Sequence, residues 1–195
     1  MPHVDPLART DLPDFEEGFA LTEAFMGFVP NSMLTMARVP GLMSAFQQLA
    51  GAVFRNGLIP PDLTQMIANV ASHAAGCRYC QAHTGHSAER LGVEETKLAE
   101  LWSFETSELF SEAERAALRI GVAGGSVPNS ASQELFDAAR EFWSDDQLAA
   151  IVSVVALFGY LNRWNDTMGT ELETSPTAFG ERVLADNGWE VGRHS

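Results

Sequence analysis

Two cysteines and a histidine, lying within seven residues of one another, are the side chains of this 195-residue sequence best placed for covalent chemistry. Cys77 and Cys80 are the only cysteines, and His83 follows Cys80 by three positions. Two thiols at this spacing can close a disulfide when the backbone bends tightly, and Gly76 supplies such a break directly before Cys77. The pattern predicts a redox-active pair that opens a helix.

The start of a helix favours the thiolate form of a cysteine, because the positive end of the helix dipole and unpaired backbone N–H groups lie beside it. Within one helix, His83 shares a face with Cys80 and could accept its proton directly or through a water. We therefore expect Cys80 to attack, Cys77 to resolve and His83 to act as base. The opposite assignment of the two cysteines, with the dipole acting on Cys77, stays open. Either assignment requires sulfurs that are not sealed from solvent.

Three other interpretations of the cysteines stay open. A zinc site would draw on His73, His83 and His86, but on one helix the last two lie about 60° apart around the axis, which makes four-fold closure poor. A structural disulfide would gain little stability from so short a loop. Two inert cysteines buried in a helical core are the strongest of the three alternatives.

The composition limits the possible partners and the compartment. The formal net charge is −14, which argues against nucleic acid and anionic membrane surfaces as partners. No apolar run reaches 18 residues and the first twenty residues are acidic, so we expect neither a membrane span nor a signal peptide. The cytoplasm is then the expected location, where a CxxC pair is more often a reversible dithiol than a permanent bridge.

The hydrophobic pattern predicts an all-α fold, because no segment shows a run of alternating β-branched residues. The helix that leads to the cysteines has no charged residue from Leu63 to Cys77, so we expect it to be buried on several sides. We expect one domain over residues 1–195, with an irregular arm at 1–12 and a loose tail at 185–195. Helices are expected at residues 14–29, 32–37, 41–55, 60–74, 77–91, 94–104, 111–123, 131–142, 145–160 and 179–184.

A weak internal sequence similarity indicates that the fold consists of two pseudo-repeated halves, each built from a pair of helices. Two apolar segments, which end at His83 and at Asn165, align without gaps, so that Asn162 falls opposite Cys80. The aligned segments are residues 65–83 and 147–165. The second segment carries a polar stretch where the first carries the thiols, and we expect a kink there. Chance similarity between two apolar helices explains the alignment nearly as well.

The block Leu63–Gly92 contains the sequence CRYCQAH after an apolar helix and before the sequence SAERLG. This block resembles the carboxymuconolactone decarboxylase-like superfamily, specifically its alkylhydroperoxidase D-like (AhpD-like), peroxidase-related branch. The segments Val29–Asn31, Val39–Pro40 and Asn162–Asn165 are similar to the same branch, so the resemblance spans residues 25–175.

The resemblance implies an all-helical AhpD-like bundle that forms a homo-oligomer, as a dimer, trimer or hexamer. It implies reduction of a hydroperoxide by Cys77 and Cys80, with a partner dithiol protein or small thiol restoring the pair and no cofactor besides it. One thiolate attacks the terminal oxygen to give a sulfenic acid, and the second thiol condenses with it to a disulfide.

Two positions depart from the family pattern. Gln65 stands where the family's proton relay usually has a glutamate, and Thr84 stands where its histidine is common, with His83 one place earlier. Gln65 can hydrogen-bond but cannot serve as a base, so we expect Gln65 and His73 to orient the site. Two other functions stay open: a non-enzymatic redox sensor or disulfide-exchange protein, and a decarboxylase-like small-molecule scaffold with incidental cysteines.

Overall fold

The computed structural model describes residues 2–195, and Met1 lies outside it. Within this part there is no strand and 69% of the residues are helical, which confirms the predicted all-α class. The α-helices are α1 (Glu16–Met26), α2 (Asn31–Met36), α3 (Leu42–Phe54), α4 (Pro61–Ala74), α5 (Arg78–Arg90), α6 (Glu95–Ala99), α7 (Glu112–Gly125), α8 (Gln133–Ala139), α9 (Asp145–Met168) and α10 (Thr174–Phe179).

Shorter turns of helix connect and extend these elements. Two 3₁₀ turns, Arg9–Asp11 and Pro13–Phe15, precede α1, and a third, Leu101–Ser103, follows α6. After α10 the chain continues through a π-helical turn and two 3₁₀ turns, which are Gly180–Leu184, Ala185–Asn187 and Gly192–His194.

Helix α4 is the centre of the core, as its lack of charged residues predicts. Every residue from Leu63 to Ser72 is buried, and the helix packs against α5, α7 and α9. Close approach to α7 depends on glycine, since a Cβ at Gly125 would lie 2.5 Å from the carbonyl oxygen of Ala71. The cysteine-bearing helix therefore rests on an element that cannot shift without disturbing the core.

Helix α9 is longer than its sequence pattern predicts. Its start is fixed by a capping box of Ser144 and Gln147, and it continues past the expected end near residue 160 to Gly169, whose left-handed φ of 58° ends it. The expected kink is wrong, because the polar stretch of α9 stays helical. Phe158, which aligns with Gly76, is buried in the core, and a bulky residue there does not favour a helix break.

By length and composition alone, α9 could cross a membrane, with a mean hydropathy of 1.2 over its most apolar part. Its apolar residues have another partner, since Ile151, Val154 and Leu157 are buried and the helix packs against α4, α5 and α7. The structure therefore accounts for the apolar face of α9 as core packing.

The C-terminal tail, expected to be loose, is docked on the start of α5. The Trp189 indole N–H donates to the backbone oxygen of Arg78 at 3.0 Å, and the N–H of Leu172 donates to the carbonyl of His194 at 2.8 Å. Trp189 and His194 are 7% and 2% exposed. The prediction of a loose tail is wrong because single buried side chains, which leave no periodic pattern in the sequence, anchor the segment.

Within residues 2–12, the N-terminal arm contains a 3₁₀ turn at Arg9–Asp11 and is otherwise irregular, and it is docked on the rest of the chain. The backbone N–H of His3 donates to the carbonyl of Met168 at 2.8 Å. Leu12 packs in a small apolar cluster with Phe19, Met33 and Met43, separate from the main core. Both ends of the chain therefore meet near the end of α9.

We expect the α4–α7 contact to be the tightest test of this packing. In Gly125→Ala, the new methyl group meets the Ala71 backbone, and overpacking should lower the free energy of unfolding by about 1–3 kcal/mol. Gly159→Ala is the matched control, because only the Arg163 side chain lies near its Cβ and helix propensity should raise stability by up to about 1 kcal/mol. Urea unfolding followed by circular dichroism measures both changes. Equal effects would contradict this packing.

Candidate active site

The two cysteines stand at the start of α5, as the sequence predicts. Gly76 has a left-handed φ of 81°, and Cys77 follows with an extended backbone as the N-cap residue. The Cys77 sulfur accepts the backbone N–H of Cys80 at 3.5 Å, and both cysteines are free thiols. The glycine break therefore turns the first sulfur back over the first turn of the helix that carries the second.

Both thiols are buried, contrary to the expectation of sulfurs open to solvent. Cys77 is fully enclosed and Cys80 is 2% exposed. Burial raises the pKa of the Cys77 thiol well above its usual value, and the neighbouring Cys80 and Asp166 raise it further. The proposed lowering of the Cys77 pKa by the helix dipole is therefore outweighed.

Helix α9 supplies a contact to Cys80 that joins residues far apart in the sequence. The amide nitrogen of Asn165 donates to the Cys80 sulfur at 3.5 Å. The Asn165 side-chain oxygen and both amide atoms of Asn162, one turn earlier, are buried without a hydrogen-bond partner. A donor to sulfur favours the thiolate, and unsatisfied buried amides are costly. The alignment of these asparagines with Cys80 and His83 was the one sequence signal for this contact.

A buried carboxylate holds His83. The His83 Nε2 lies 2.5 Å from Glu173 Oε2, while the Tyr79 hydroxyl and the Asn31 backbone N–H both donate to Glu173 Oε1, at 2.9 and 2.5 Å. The Tyr79 and His83 rings stack with centroids 4.1 Å apart, and Phe28 meets His83 edge-on. No local sequence pattern points to Glu173, which lies 90 residues from His83.

These contacts set the charge states of the carboxylate and the phenol. Burial alone raises the pKa of Glu173, but the charge of His83 and the hydrogen bonds from His83 and Asn31 outweigh it, so the pKa is lowered. Burial, followed by the charge of Glu173, raises the pKa of Tyr79 well above its usual range. Tyr79 is therefore a neutral donor to an ionised carboxylate.

The sequence places Cys80 and His83 one turn apart on α5, and the structure confirms this placement. The described hydrogen bond of the His83 ring goes to Glu173 rather than to the sulfur. Proton transfer between Cys80 and His83 therefore requires a water or a small rotation of the ring, and the base role of His83 stays a prediction.

The predicted supporting residues lie apart from the sulfurs' hydrogen bonds. Gln65 is buried on α4, and the bonds described for the cysteines and His83 do not include it. His73 packs against the Trp102 ring, its Nδ1 is buried without a partner, and burial lowers its pKa. A cavity of about 140 Å³ beside the start of α5 is lined by His73, Gly76, Arg78, Gln81, Asn187, Gly188 and Trp189.

Thr84, which stands at the family's usual histidine position, has a structural role. Its hydroxyl donates to the backbone oxygen of Cys80 at 2.7 Å and accepts the Asn69 amide N–H at 3.0 Å. The Asn69 amide also donates to the carbonyl of Gln81 at 2.8 Å. These bonds fasten α5 to α4 and hold the cysteine-bearing turn in place.

A second polar cluster, formed by residues from the C-terminal part of the chain, lies beside Cys77. The Cys77 sulfur, an Asp166 oxygen and a His194 nitrogen all lie within 4.8 Å of one another. Thiolate, carboxylate and imidazole are ligand types that zinc accepts, but a structural zinc site uses four, and this cluster supplies three. The zinc ligands suggested by the sequence were different histidines, namely His73, His83 and His86.

Comparison with known proteins assigns the family. Residues 40–123 match the Carboxymuconolactone decarboxylase family. The crystal structure of the debrominase Bmp8 in its apo form is 37% identical to this chain, with a TM-score of 0.87 over 92% of this chain and 97% of that chain. The chain belongs to the carboxymuconolactone decarboxylase/AhpD-like superfamily. The resemblance read from its cysteine motif is therefore confirmed.

Other solved structures have the same fold. A cysteine-to-alanine variant of Bmp8 in complex with 2,3,4-tribromopyrrole is 37% identical, with a TM-score of 0.88 over 92% of this chain and 96% of that chain. An AhpD-core, peroxidase-related protein from Ralstonia eutropha JMP134 is 22% identical, with a TM-score of 0.80 over 90% of this chain and 94% of that chain. No curated protein matches the sequence. Family and neighbours together indicate an enzyme.

We expect Glu173→Gln to destabilise the protein by about 2–4 kcal/mol at neutral pH, because it leaves the His83 ring, the Tyr79 hydroxyl and the Asn31 N–H without their ionised acceptor. The folded-state pKa of Glu173 lies below its ordinary value of 4.5, so its stabilisation is present above that pH and is lost as the pH falls through the lowered pKa.

Urea unfolding from neutral pH down to about pH 3 should therefore show the difference between the wild type and Glu173→Gln shrinking with pH. Glu171→Gln, which removes an exposed carboxylate nearby, serves as the control and should leave the pH dependence unchanged. A difference that is the same at every pH would show that the charge of Glu173 contributes nothing.

Proposed function

We propose that this chain is an oxidoreductase that reduces a small electrophilic substrate with the Cys77–Cys80 dithiol. The proposal rests on two free thiols at the start of a helix that follows a break at Gly76. The Cys77 sulfur accepts a hydrogen bond from the backbone N–H of Cys80. The dithiol gives up two electrons and becomes a disulfide. A dithiol protein or a small thiol then restores it, so no further cofactor is required.

The surroundings of the sulfurs support Cys80 as the attacking thiol. Its sulfur receives the amide N–H of Asn165, which stabilises a thiolate. Burial and the nearby Asp166 carboxylate raise the pKa of Cys77, which disfavours it as the first nucleophile. Cys77 then acts second, as the resolving thiol.

The first substrate class is a small brominated aromatic ring. Support comes from the 37% identity to a debrominase over nearly its whole length, and from the brominated pyrrole bound to a cysteine variant of that protein. The Cys80 thiolate takes the bromine while the ring carbon takes a proton, and Cys77 then attacks the Cys80 sulfur and expels bromide. Overall, R–Br and two thiols give R–H, bromide, one proton and a disulfide.

The second substrate class is a hydroperoxide, which the peroxidase-related branch of the superfamily favours. The Cys80 thiolate attacks the terminal oxygen, giving a sulfenic acid and an alcohol or water, and Cys77 displaces water from that acid. The same two sulfurs serve both reactions. Gln65 weighs against this class, since it replaces the acidic group of the family's proton relay.

Reaction at buried sulfurs requires the site to open. The Cys77 sulfur is fully enclosed, so a substrate enters when a neighbouring segment moves, and a buried site then excludes water from the reactive sulfur. We propose a homo-oligomer, as a dimer, trimer or hexamer, in a reducing compartment such as the cytoplasm. A sensor would oxidise once without turnover, and a decarboxylase-like scaffold would be unaffected by thiol alkylation.

The substrate classes are separated by supplying a brominated pyrrole or an alkyl hydroperoxide to the reduced protein with excess dithiol. We expect bromide release or peroxide loss over many turnovers, with both thiols lost when the reductant is omitted. Cys80→Ser should abolish turnover, whereas Cys77→Ser, assayed without added dithiol, should react once without forming an intramolecular disulfide, because no resolving thiol remains. Full turnover by Cys80→Ser would contradict the proposal, and loss of thiols without turnover would indicate a sensor.

His83 and His86 offer a matched pair for testing the base. His83→Gln should lower the rate of the first step by about a hundredfold, since general bases typically contribute that much, whereas His86→Gln should leave it near the wild-type value. Stopped-flow measurement of the first step across the pH range is the readout. The pH dependence should flatten only in His83→Gln, and a His83→Gln profile identical to wild type would exclude the base role.

A further inference from the structure

The docked tail adds His194 to the surroundings of Cys77. The His194 Nδ1 lies 2.8 Å from the carbonyl oxygen of Thr170, and Nε2 lies 3.2 Å from Asp166 Oδ1. A carbonyl oxygen can only accept, so the proton of the neutral ring resides on Nδ1. Nε2 is therefore the nitrogen that gains or loses a proton, and it faces the Asp166 carboxylate.

This nitrogen is placed where Cys77 needs a proton acceptor. The reactive atoms of Cys77, Asp166 and His194 lie within 4.8 Å of one another. A buried thiol beside a carboxylate resists ionisation, yet the resolving step requires its thiolate. His83 is hydrogen-bonded to Glu173 and is proposed to act on Cys80. The proton of Cys77 therefore needs a different acceptor.

We propose that His194, oriented by Thr170 and Asp166, accepts the proton of Cys77 as the disulfide forms and returns it when the disulfide is reduced. The inference rests on the proposed dithiol function. The Cys77 S–H bond breaks and its proton passes to Nε2, the S–S bond forms, and the Cys80 bond to its leaving group breaks with both electrons on that group. The Asp166 side chain is 29% exposed and connects the proton to solvent.

Other charged groups surround His194 and must be separated from it. From α5, the Tyr79 ring lies 5.6 Å away, but its raised pKa keeps it neutral. In the tail, the Arg193 guanidinium donates to the backbone oxygen of Asp166 at 3.3 Å. From the N-terminal arm, the His3 ring lies beside Gly169, close to the Arg193 backbone. Substitution of Arg193 therefore controls for docking of the tail, and substitution of His3 controls for the loss of a nearby histidine.

The experiment uses a dithiodipyridine as the oxidant, so that it does not depend on the natural substrate. Cys80 attacks the reagent and releases one coloured thiopyridone, and Cys77 then attacks the mixed disulfide and releases a second. His194→Asn keeps a donor toward Thr170 but removes the acceptor nitrogen. We expect it to leave the first phase unchanged and to slow the second by about ten- to a hundredfold near neutral pH, with recovery at alkaline pH.

Arg193→Gln and His3→Gln should behave as wild type, and Cys77→Ser should release one thiopyridone only. His194→Gln provides a second variant in case His194→Asn does not fold, and it should also slow the second phase alone. An unchanged second phase in His194→Asn, or equal slowing in Arg193→Gln, would overturn the proposal. So would stoichiometric zinc that must be removed before the thiols react.

The proposed function and the inference fail in different ways. A protein that releases two thiopyridones, with the second phase slowed in His194→Asn, supports the inference even if it consumes neither a brominated pyrrole nor a hydroperoxide. Turnover of either substrate with no effect of His194→Asn on the second phase supports the function and removes His194 from it.

Discussion

The left-handed backbone of Gly76 is the constraint on which the site depends. With φ at 81°, it ends α4 and lets α5 begin two residues later, a conformation that any other residue adopts only with strain. The Cys77 N–H donates to the carbonyl of Ser72 at 2.9 Å, and the Cys77 carbonyl accepts the N–H of Gln81 at 3.1 Å. The backbone thereby fixes the first sulfur above the helix that carries the second.

Burial deprives the sulfurs of water that could stabilise a negative charge, and a carboxylate–histidine pair lies near each sulfur. A thiolate in an enclosed site has little water to stabilise it, so proton transfer depends on fixed groups. Glu173 holds His83 near Cys80, and Asp166 faces His194 near Cys77. In the proposed mechanism, each sulfur exchanges its proton with its own carboxylate–histidine pair.

Local features of the site were predictable from the sequence, and its long-range contacts were not. The helix break at Gly76 and the position of Cys77 at the start of a helix depend on neighbouring residues, and both are confirmed. The contacts of Cys80 with Asn165 and of His83 with Glu173 join residues 85 and 90 positions apart. Single polar residues at such separations leave no periodic pattern, so only the folded chain brings them together.

The proton balance of the two candidate reactions relates this arrangement to the choice of substrate. Reduction of a hydroperoxide consumes both thiol protons, because each departing oxygen becomes an alcohol or water. Debromination consumes one, because bromide is a weak base and departs without a proton, so the site must release the other. Asp166, partly exposed and facing His194, offers the resolving thiol a route by which a proton can leave. Gln65 supplies no acid for a departing oxygen, and a bromide needs none. We therefore propose that the arrangement around Cys77 suits debromination better than peroxide reduction.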